Sequence, residues 1–272
     1  MIAFPNAKIN LGLNITARRP DGYHDLESCF IPVGWCDALE IVPADEFAFS
    51  SSGIDIPGSD KGHLCEQAYL LLKEDHDLPP VKIHLHKNIP IGAGLGGGSA
   101  DCAFALKILN QLFELGLETA QLQKYAGMLG SDCPFFIDNA ITLATGTGTT
   151  FKKIPLDLSA YYIQIVYPQQ HISTGEAYSV IQPAEPERSV ETILLNDSIE
   201  TWKNNLVNDY EKPLFDKYPD LASIKNRFYE KGAVYASMTG SGSAIYGIFD
   251  SEMPPLFPEY PYFSGRLAAV PH

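Results

Sequence analysis

Five glycines fall within seven residues at Gly92-Ala93-Gly94-Leu95-Gly96-Gly97-Gly98, and the run passes through Ser99 into Ala100-Asp101-Cys102-Ala103-Phe104-Ala105-Leu106. No other feature constrains the fold as much. Glycine reaches left-handed backbone and lets main-chain amides approach a ligand closely, at a cost in chain entropy that an ordinary turn does not require. The apolar segment behind it predicts a helix over 99–115, with Ser99 as its N-cap and Asp101 in its first turn. A helix starting there offers unpaired N–H groups and the positive end of its dipole. Such a loop is an anion site, most often for phosphate.

Gly92, Gly94 and Gly97 spell G-x-G-x-x-G, a pattern that unrelated folds share. A dinucleotide site needs a strand running directly into the first glycine, and an acidic residue about 20 residues on at the end of a second strand. Residues 81–86 read as a strand, but Lys87-Asn88-Ile89-Pro90 intervenes. Pro90 removes an amide donor and fixes φ. Glu114 and Glu118 lie at about the right distance, yet they follow a helix and no apolar strand comes after them. Neither H-R-D nor D-F-G occurs, which argues against a protein kinase, and no G-K-[ST] marks a Walker A loop.

A chain of 272 residues suits one large domain or two of ordinary size. The net charge of −14 argues against nucleic acid or an anionic membrane as the main partner, while leaving room for a phosphorylated ligand. Cysteines 29, 36, 65, 102 and 133 are odd in number and form no C-x-x-C pair, so buried reduced thiols are expected. Without a basic leader or an apolar run of about 18 residues, a cytoplasmic protein is expected.

Residues 7–15 alternate as a strand that places Lys8, Asn10 and Asn14 on one face. Arg19-Pro20-Asp21-Gly22 signals a turn, and 30–33 and 38–42 read as further strands. Helical spacing runs over 61–73 and 119–129, with Thr119 as a cap. Ser131-Asp132-Cys133-Pro134 turns into an apolar segment. The glycine- and threonine-rich stretch 145–150 suggests a boundary, giving domains 1–148 and 149–272. The second half reads as a compact α+β unit. It has strands at 161–167 and 244–249, with Val234–Met238 leading into Thr239-Gly240-Ser241-Gly242-Ser243. Helices are expected around 174–181, 190–195, 201–206 and 220–230, and a proline-rich surface tail from Glu252.

Three blocks then coincide: Lys8-Ile9-Asn10-Leu11 with Asp21-Gly22-Tyr23-His24, the run Pro90-Ile91-Gly92-Ala93-Gly94-Leu95-Gly96-Gly97-Gly98-Ser99, and Thr239-Gly240-Ser241-Gly242-Ser243. In this order they resemble the small-molecule kinases of the galactokinase, homoserine kinase, mevalonate kinase and phosphomevalonate kinase (GHMP) superfamily. With Gly130-Ser131-Asp132-Cys133-Pro134-Phe135-Phe136, the resemblance is closest to the branch acting on a cytidine diphosphate-linked methylerythritol in non-mevalonate isoprenoid synthesis. It covers about residues 8–250. The chain departs from the family in having Ala100-Asp101 after Ser99, and Thr149 where a Gly-x-Gly-Glu carboxylate often stands.

The resemblance implies an α+β, two-domain GHMP kinase fold. Its N-terminal domain would be like domain 2 of ribosomal protein S5 and its C-terminal domain ferredoxin-like. It implies ATP with Mg²⁺ as phosphoryl donor, held along Pro90–Ser99 with help from Lys87. The metal would be carried mostly by phosphates and water, with Ser99 as its candidate protein contact. The acceptor would be the 2-hydroxyl of the cytidine-linked substrate. By the same resemblance, Asp132 is the general base and Lys8 the cation beside the reacting hydroxyl. Asn10, Tyr23, His24, Thr174 and Tyr178 hold the substrate, with Tyr23 and Tyr178 as rings that could stack on the base. Asn204, Asn205 and Asp209 are candidate pocket edges.

Overall fold

The computed structural model describes residues 1–58 and 62–267. The first half runs β1 (Ile2–Ala3), β2 (Asn6–Arg18), β3 (His24–Cys36), β4 (Ala38–Pro43), β5 (Ala48–Gly53), α1 (Leu64–Asp75), β6 (Val81–Lys87), α2 (Gly97–Leu112), α3 (Thr119–Leu129) and α4 (Cys133–Asp138). There follow β7 (Thr142–Gly146), β8 (Thr150–Lys153), β9 (Tyr162–Val166), α5 (Thr174–Ser179), α6 (Val190–Asn196), α7 (Ile199–Asn205), α8 (Glu211–Lys217), α9 (Pro219–Glu230), β10 (Tyr235–Met238), β11 (Ile245–Phe249) and β12 (Tyr262–Arg266). Two compact units interleave along this order. Met1–Ala7, Trp35–Ile91 and Gly96–Asn139 form the first; Lys8–Gly34, Gly92–Leu95 and the chain from Ala140 onward form the second.

In the first unit, a sheet of order β1-β4-β6-β5 carries the core, with β5 parallel to β6 and the other pairs antiparallel. Strand β6 alternates strictly: Val81, Ile83, Leu85 and Lys87 face inward, while Lys82, His84 and His86 face out. Helix α1 opens on a capping box between His63 and Glu66; Lys61, where its pattern was expected to begin, lies outside the described residues. Helix α2 packs against α1, α4 and β4, and buries Ala100, Cys102, Ala103, Ala105, Leu106 and Leu109. Its small residues permit that close contact on several sides.

Two helix starts differ from expectation. Helix α2 begins at Gly97, with Gly96 at the N-cap in left-handed backbone (φ 71°), so Ser99 is inside the first turn and Asp101 lies beyond it. Glycine takes this conformation without a Cβ penalty and needs no capping side chain. Helix α3 has the expected bounds, but its cap is Glu118, whose carboxylate pairs in a capping box with Gln121.

The second unit holds two sheets, β2-β3-β7-β8 and β10-β11-β9-β12. Residues 146–150 form the turn of the β7–β8 hairpin. The segment after Glu252, expected to be only a surface tail, contributes β12, which pairs with β9 from Tyr262↔Val166 to Arg266↔Tyr162. As an edge strand exposed on alternate residues, it carries little apolar signal. Helix α8 was also not foreseen; it is seven residues long and contains Pro213. Leu214, Leu221, Ile224, Phe228 and Phe249 belong to this unit's core. Among the described residues, no helix is long and apolar enough to cross a membrane.

Candidate active site

In the first unit, the start of α2 is where the sequence places an anion site. The first intrahelical hydrogen bond runs from the Ala100 amide to the Gly96 carbonyl at 2.9 Å. The amides of Gly97, Gly98 and Ser99 therefore precede the helix ladder and carry its positive end. A Cβ on Gly97 would meet Ile89 Cγ2 at 2.9 Å, so only glycine fits there without displacement. Asp132 stands at the N-cap position of α4 and makes no side-chain capping bond. Helices α2 and α4 pack together. The neighbouring Cys102 holds the Cys133 thiol, next to Asp132, below its ordinary range in spite of burial.

Lys87 is placed differently from a nucleotide ligand. It is buried, and its ammonium donates to Asp37 Oδ2 and to Asp101 Oδ2, the latter at 2.9 Å. Burial alone would lower its pKa, but the two carboxyls more than offset this and raise it. Asp37 was not foreseen from sequence. Nothing in Cys36-Asp37-Ala38 marks it except its place between two strands.

In the second unit, Lys8 and Asn10 meet on one face of β2 as expected, with Lys8 Nζ donating to Asn10 Oδ1 at 2.7 Å. Lys8 is 4% exposed and its ammonium lies 4.9 Å from the centroid of the Phe30 ring. Asn10 is fully engaged. Its Nδ2 donates to Ser28 Oγ at 2.8 Å, its backbone amide to Thr239 Oγ1 at 3.1 Å, and its carbonyl accepts from the Tyr246 hydroxyl at 2.7 Å. Thr239 Oγ1 also lies 3.2 Å from both Asn10 Oδ1 and the Gly94 carbonyl. Asn14 does not continue the row: Gly12 (φ 64°) interrupts the extended backbone, and the Asn14 amide reaches Asp209 at 3.3 Å instead.

Gly92 and Gly94, also of this unit, are left-handed at φ 68° and 78°. A Cβ on Gly94 would stand 2.1 Å from the Thr239 carbonyl oxygen, so the loop lies directly on Thr239. Asn208 supports that segment, donating to the carbonyls of Met238 and Gly240 at 2.9 Å each. Sequence spacing does not single Asn208 out.

His24 stacks on Tyr178 with ring centroids 4.9 Å apart, and Tyr178 meets Tyr210 edge-on. Tyr23 is 66% exposed at the turn that Arg19, Asp21 and Gly22 build. Thr174 is the exposed first residue of α5. Asn204, Asn205 and Asp209 line a cavity of about 880 Å³ with Asn14 and Arg188. Tyr23, His24 and Tyr178 are not in its wall. Among the described residues, no cluster of three or more His, Cys, Asp or Glu is arranged to hold a metal.

Comparison with known proteins accords with this arrangement. The family model for the GHMP kinases N terminal domain matches residues 63–140, and that for the GHMP kinases C terminal matches 193–255. A 4-diphosphocytidyl-2-C-methyl-D-erythritol kinase of Cytophaga hutchinsonii is 48% identical over 253 residues, 93% of each chain. One from Bacteroides thetaiotaomicron is 50% identical over 256 residues, again 93% of each. A crystal structure of 4-(cytidine 5'-diphospho)-2C-methyl-D-erythritol kinase superposes with a TM-score of 0.77 at 32% identity, covering 91% of this chain and 89% of that one. A mevalonate kinase structure shares the fold with a TM-score of 0.70 at 14% identity, over 92% and 91% of the two chains. The α+β architecture, the glycine run opening α2 and this degree of identity together establish that the chain belongs to the GHMP kinases and, among them, to the 4-diphosphocytidyl-2-C-methyl-D-erythritol kinases.

Proposed function

We propose that the protein transfers the γ-phosphoryl group of ATP to the 2-hydroxyl of 4-diphosphocytidyl-2-C-methyl-D-erythritol. The observation that carries this reading lies within the first unit. The glycine-started helix α2, whose amides from Gly97 to Ser99 precede its ladder, packs against α4, at whose N-cap position Asp132 stands. Phosphoryl transfer asks for positioning and charge stabilisation more than covalent chemistry. The amides of α2 bind phosphate oxygens by their dipole and unpaired N–H groups. Asp132 accepts the hydroxyl proton as the acceptor oxygen attacks the γ-phosphorus and the bond to the bridging oxygen of ADP breaks. Lys8, bonded to Asn10, whose Oδ1 also accepts from Thr239, offsets the charge that grows on the transferring group. Asn10 acts by fixing Lys8 through its Oδ1, while its Nδ2 is anchored on Ser28.

The chemistry of the donors fits Mg²⁺ carried by the nucleotide: Ser99 offers one hydroxyl at the start of α2, and phosphate oxygens and water supply the rest. When bound, the metal neutralises phosphate charge. Tyr23, His24, Thr174 and Tyr178 form the proposed cytidine site, with the His24–Tyr178 stack as the aromatic platform on which a base lies. Residues 1–148 and 149–272 are the proposed N- and C-terminal kinase domains, since each contains one family-matched stretch. Five cysteines, none in a disulfide, fit a reducing, cytoplasmic setting.

Incubation with MgATP and the cytidine-linked acceptor, followed by ³¹P NMR, is expected to yield ADP and a 2-phosphate monoester. Asp132→Asn is expected to bind ATP yet lose turnover by at least about 100-fold. Phosphorylation of homoserine or mevalonate in preference to the cytidine acceptor would overturn the substrate assignment. Undiminished turnover in Asp132→Asn would overturn the base.

A further inference from the structure

A buried cluster of three ionisable side chains closes the base of the glycine run, and no step of the chemistry above uses it. Strand β6 ends with Lys87 on its inward face, and the chain continues through Asn88 and Ile89 into Pro90. Asp37 Oδ1 accepts from the backbone amides of Asn88 and Ile89 at 2.6 and 2.8 Å, while its Oδ2 takes the Lys87 ammonium. That ammonium also donates to Asp101 Oδ2 at 2.9 Å, on the second turn of α2. The Lys87 carbonyl is held in turn by the Ile54 amide at 2.9 Å. A Cβ on Gly97 would lie 3.2 Å from Lys87 Nζ and 2.9 Å from Ile89, so the stem entering the run touches the helix leaving it.

We infer that Asp37 and Asp101 are positioning residues for the nucleotide, acting through Lys87 to lock the Lys87–Ile89 stem against the start of α2 so that the amides of Gly97, Gly98 and Ser99 point at phosphate. The inference rests on the phosphoryl-transfer reading. All three charged side chains are buried, so none reaches a ligand directly. Buried ions are expensive and an apolar trio would fill the same space with less desolvation, so the return on this cluster is direction rather than stability. Its charge is also consistent with the role. Burial pushes the Asp101 carboxyl up to about 8, against the pull of Lys87 and with the help of Asp37. A carboxyl raised that far keeps its proton at pH 7, which leaves one negative charge fewer beneath a triphosphate. The Asp101 Oδ1 atom, buried without a hydrogen-bond partner, suits an uncharged carboxyl better than a carboxylate.

Calorimetric titration with ATP, together with KM for each substrate and kcat, tests the assignment on the full chain. Asp37→Ala is expected to weaken ATP binding at least about tenfold while the acceptor KM stays within about twofold. Asp37→Asn, which keeps an acceptor for both amides, is expected to restore most of the loss. Asp101→Asn is expected to weaken ATP binding about threefold or more. A folded Asp37→Ala that binds ATP within about twofold of wild type overturns the inference. Should that variant fail to fold, unchanged ATP affinity in Asp101→Asn overturns it equally. Absence of ATP binding in the wild type would instead defeat the phosphoryl-transfer reading itself.

Discussion

Asp101 makes the stability of the protein depend on pH in a way that a single substitution isolates. Its folded carboxyl is raised to about 8 from 3.8, chiefly by burial on α2. Between those values the folded protein keeps a proton that the unfolded chain has released. The folded state therefore binds more protons, and this group lowers stability as pH rises from about 4 to about 8. The slope is about 1.4 kcal/mol per pH unit. Asp101→Asn preserves the shape and removes the titration. Whatever its offset at pH 5.5, the variant should gain on wild type by about 3 kcal/mol by pH 7.5, two units along that slope. For a chain of this size, 1 kcal/mol shifts Tm by about 2–4 °C. The Tm difference between variant and wild type should thus move by roughly 6–12 °C in the variant's favour between these two pH values. Differential scanning calorimetry of both proteins in matched buffers reads this, because groups that do not touch Asp101 contribute equally to both. Parallel Tm curves across pH 5.5–7.5 would refute the account of a neutral, buried Asp101.

Further outcomes follow from the same geometry. Gly94→Ala forces a Cβ to 2.1 Å from the Thr239 carbonyl at φ 78°, and should destabilise the fold by about 2 kcal/mol or more while raising KM for ATP, as denaturant titration and steady-state kinetics will show. Thr239→Val removes the hydroxyl that meets the Asn10 amide, Asn10 Oδ1 and the Gly94 carbonyl; loss of about 1–3 kcal/mol is expected, and unchanged stability and kcat would contradict its bridging role. Tyr178→Ala breaks the stack with His24 and should raise KM for the cytidine acceptor about tenfold with ATP KM unaltered. Cys29, Cys65, Cys102 and Cys133 are buried, so an aromatic disulfide reagent should titrate at most Cys36 rapidly in the native protein and all five thiols only in denaturant.

Much of the fold was legible because its signals are local. The alternation of β6, the apolar run of α2 and the bounds of α3 follow from spacing alone. The alternation even held an unused message: Val81, Ile83 and Leu85 point inward, so Lys87, in phase with them, must be buried and paired. Proximity to the glycines suggested a ligand role instead. Ser99 looked like the cap because serine usually outcompetes glycine there, whereas a left-handed Gly96 started the helix earlier. Strand β12 and helix α8 were hidden because an edge strand and a proline-containing short helix lack periodic apolar faces. At the candidate site, the glycine run, Lys8 and Asp132 announced themselves by motif. Asp37, Asn208 and the bridging place of Thr239 did not. Their partners are distant in sequence and follow from tertiary packing rather than residue pattern.

The pairing of β3 with β7 joins Leu26 to Gly146, 120 positions further along the chain. A ribosome adding about 5–20 residues per second takes roughly 6–24 s to make that interval. Throughout it, the β3 edge destined for β7 has no native partner to close on. Loop closure over that span is also slow compared with helix formation. Biogenesis of this enzyme therefore includes an interval in which an open β edge on the nascent polypeptide must be kept from other chains.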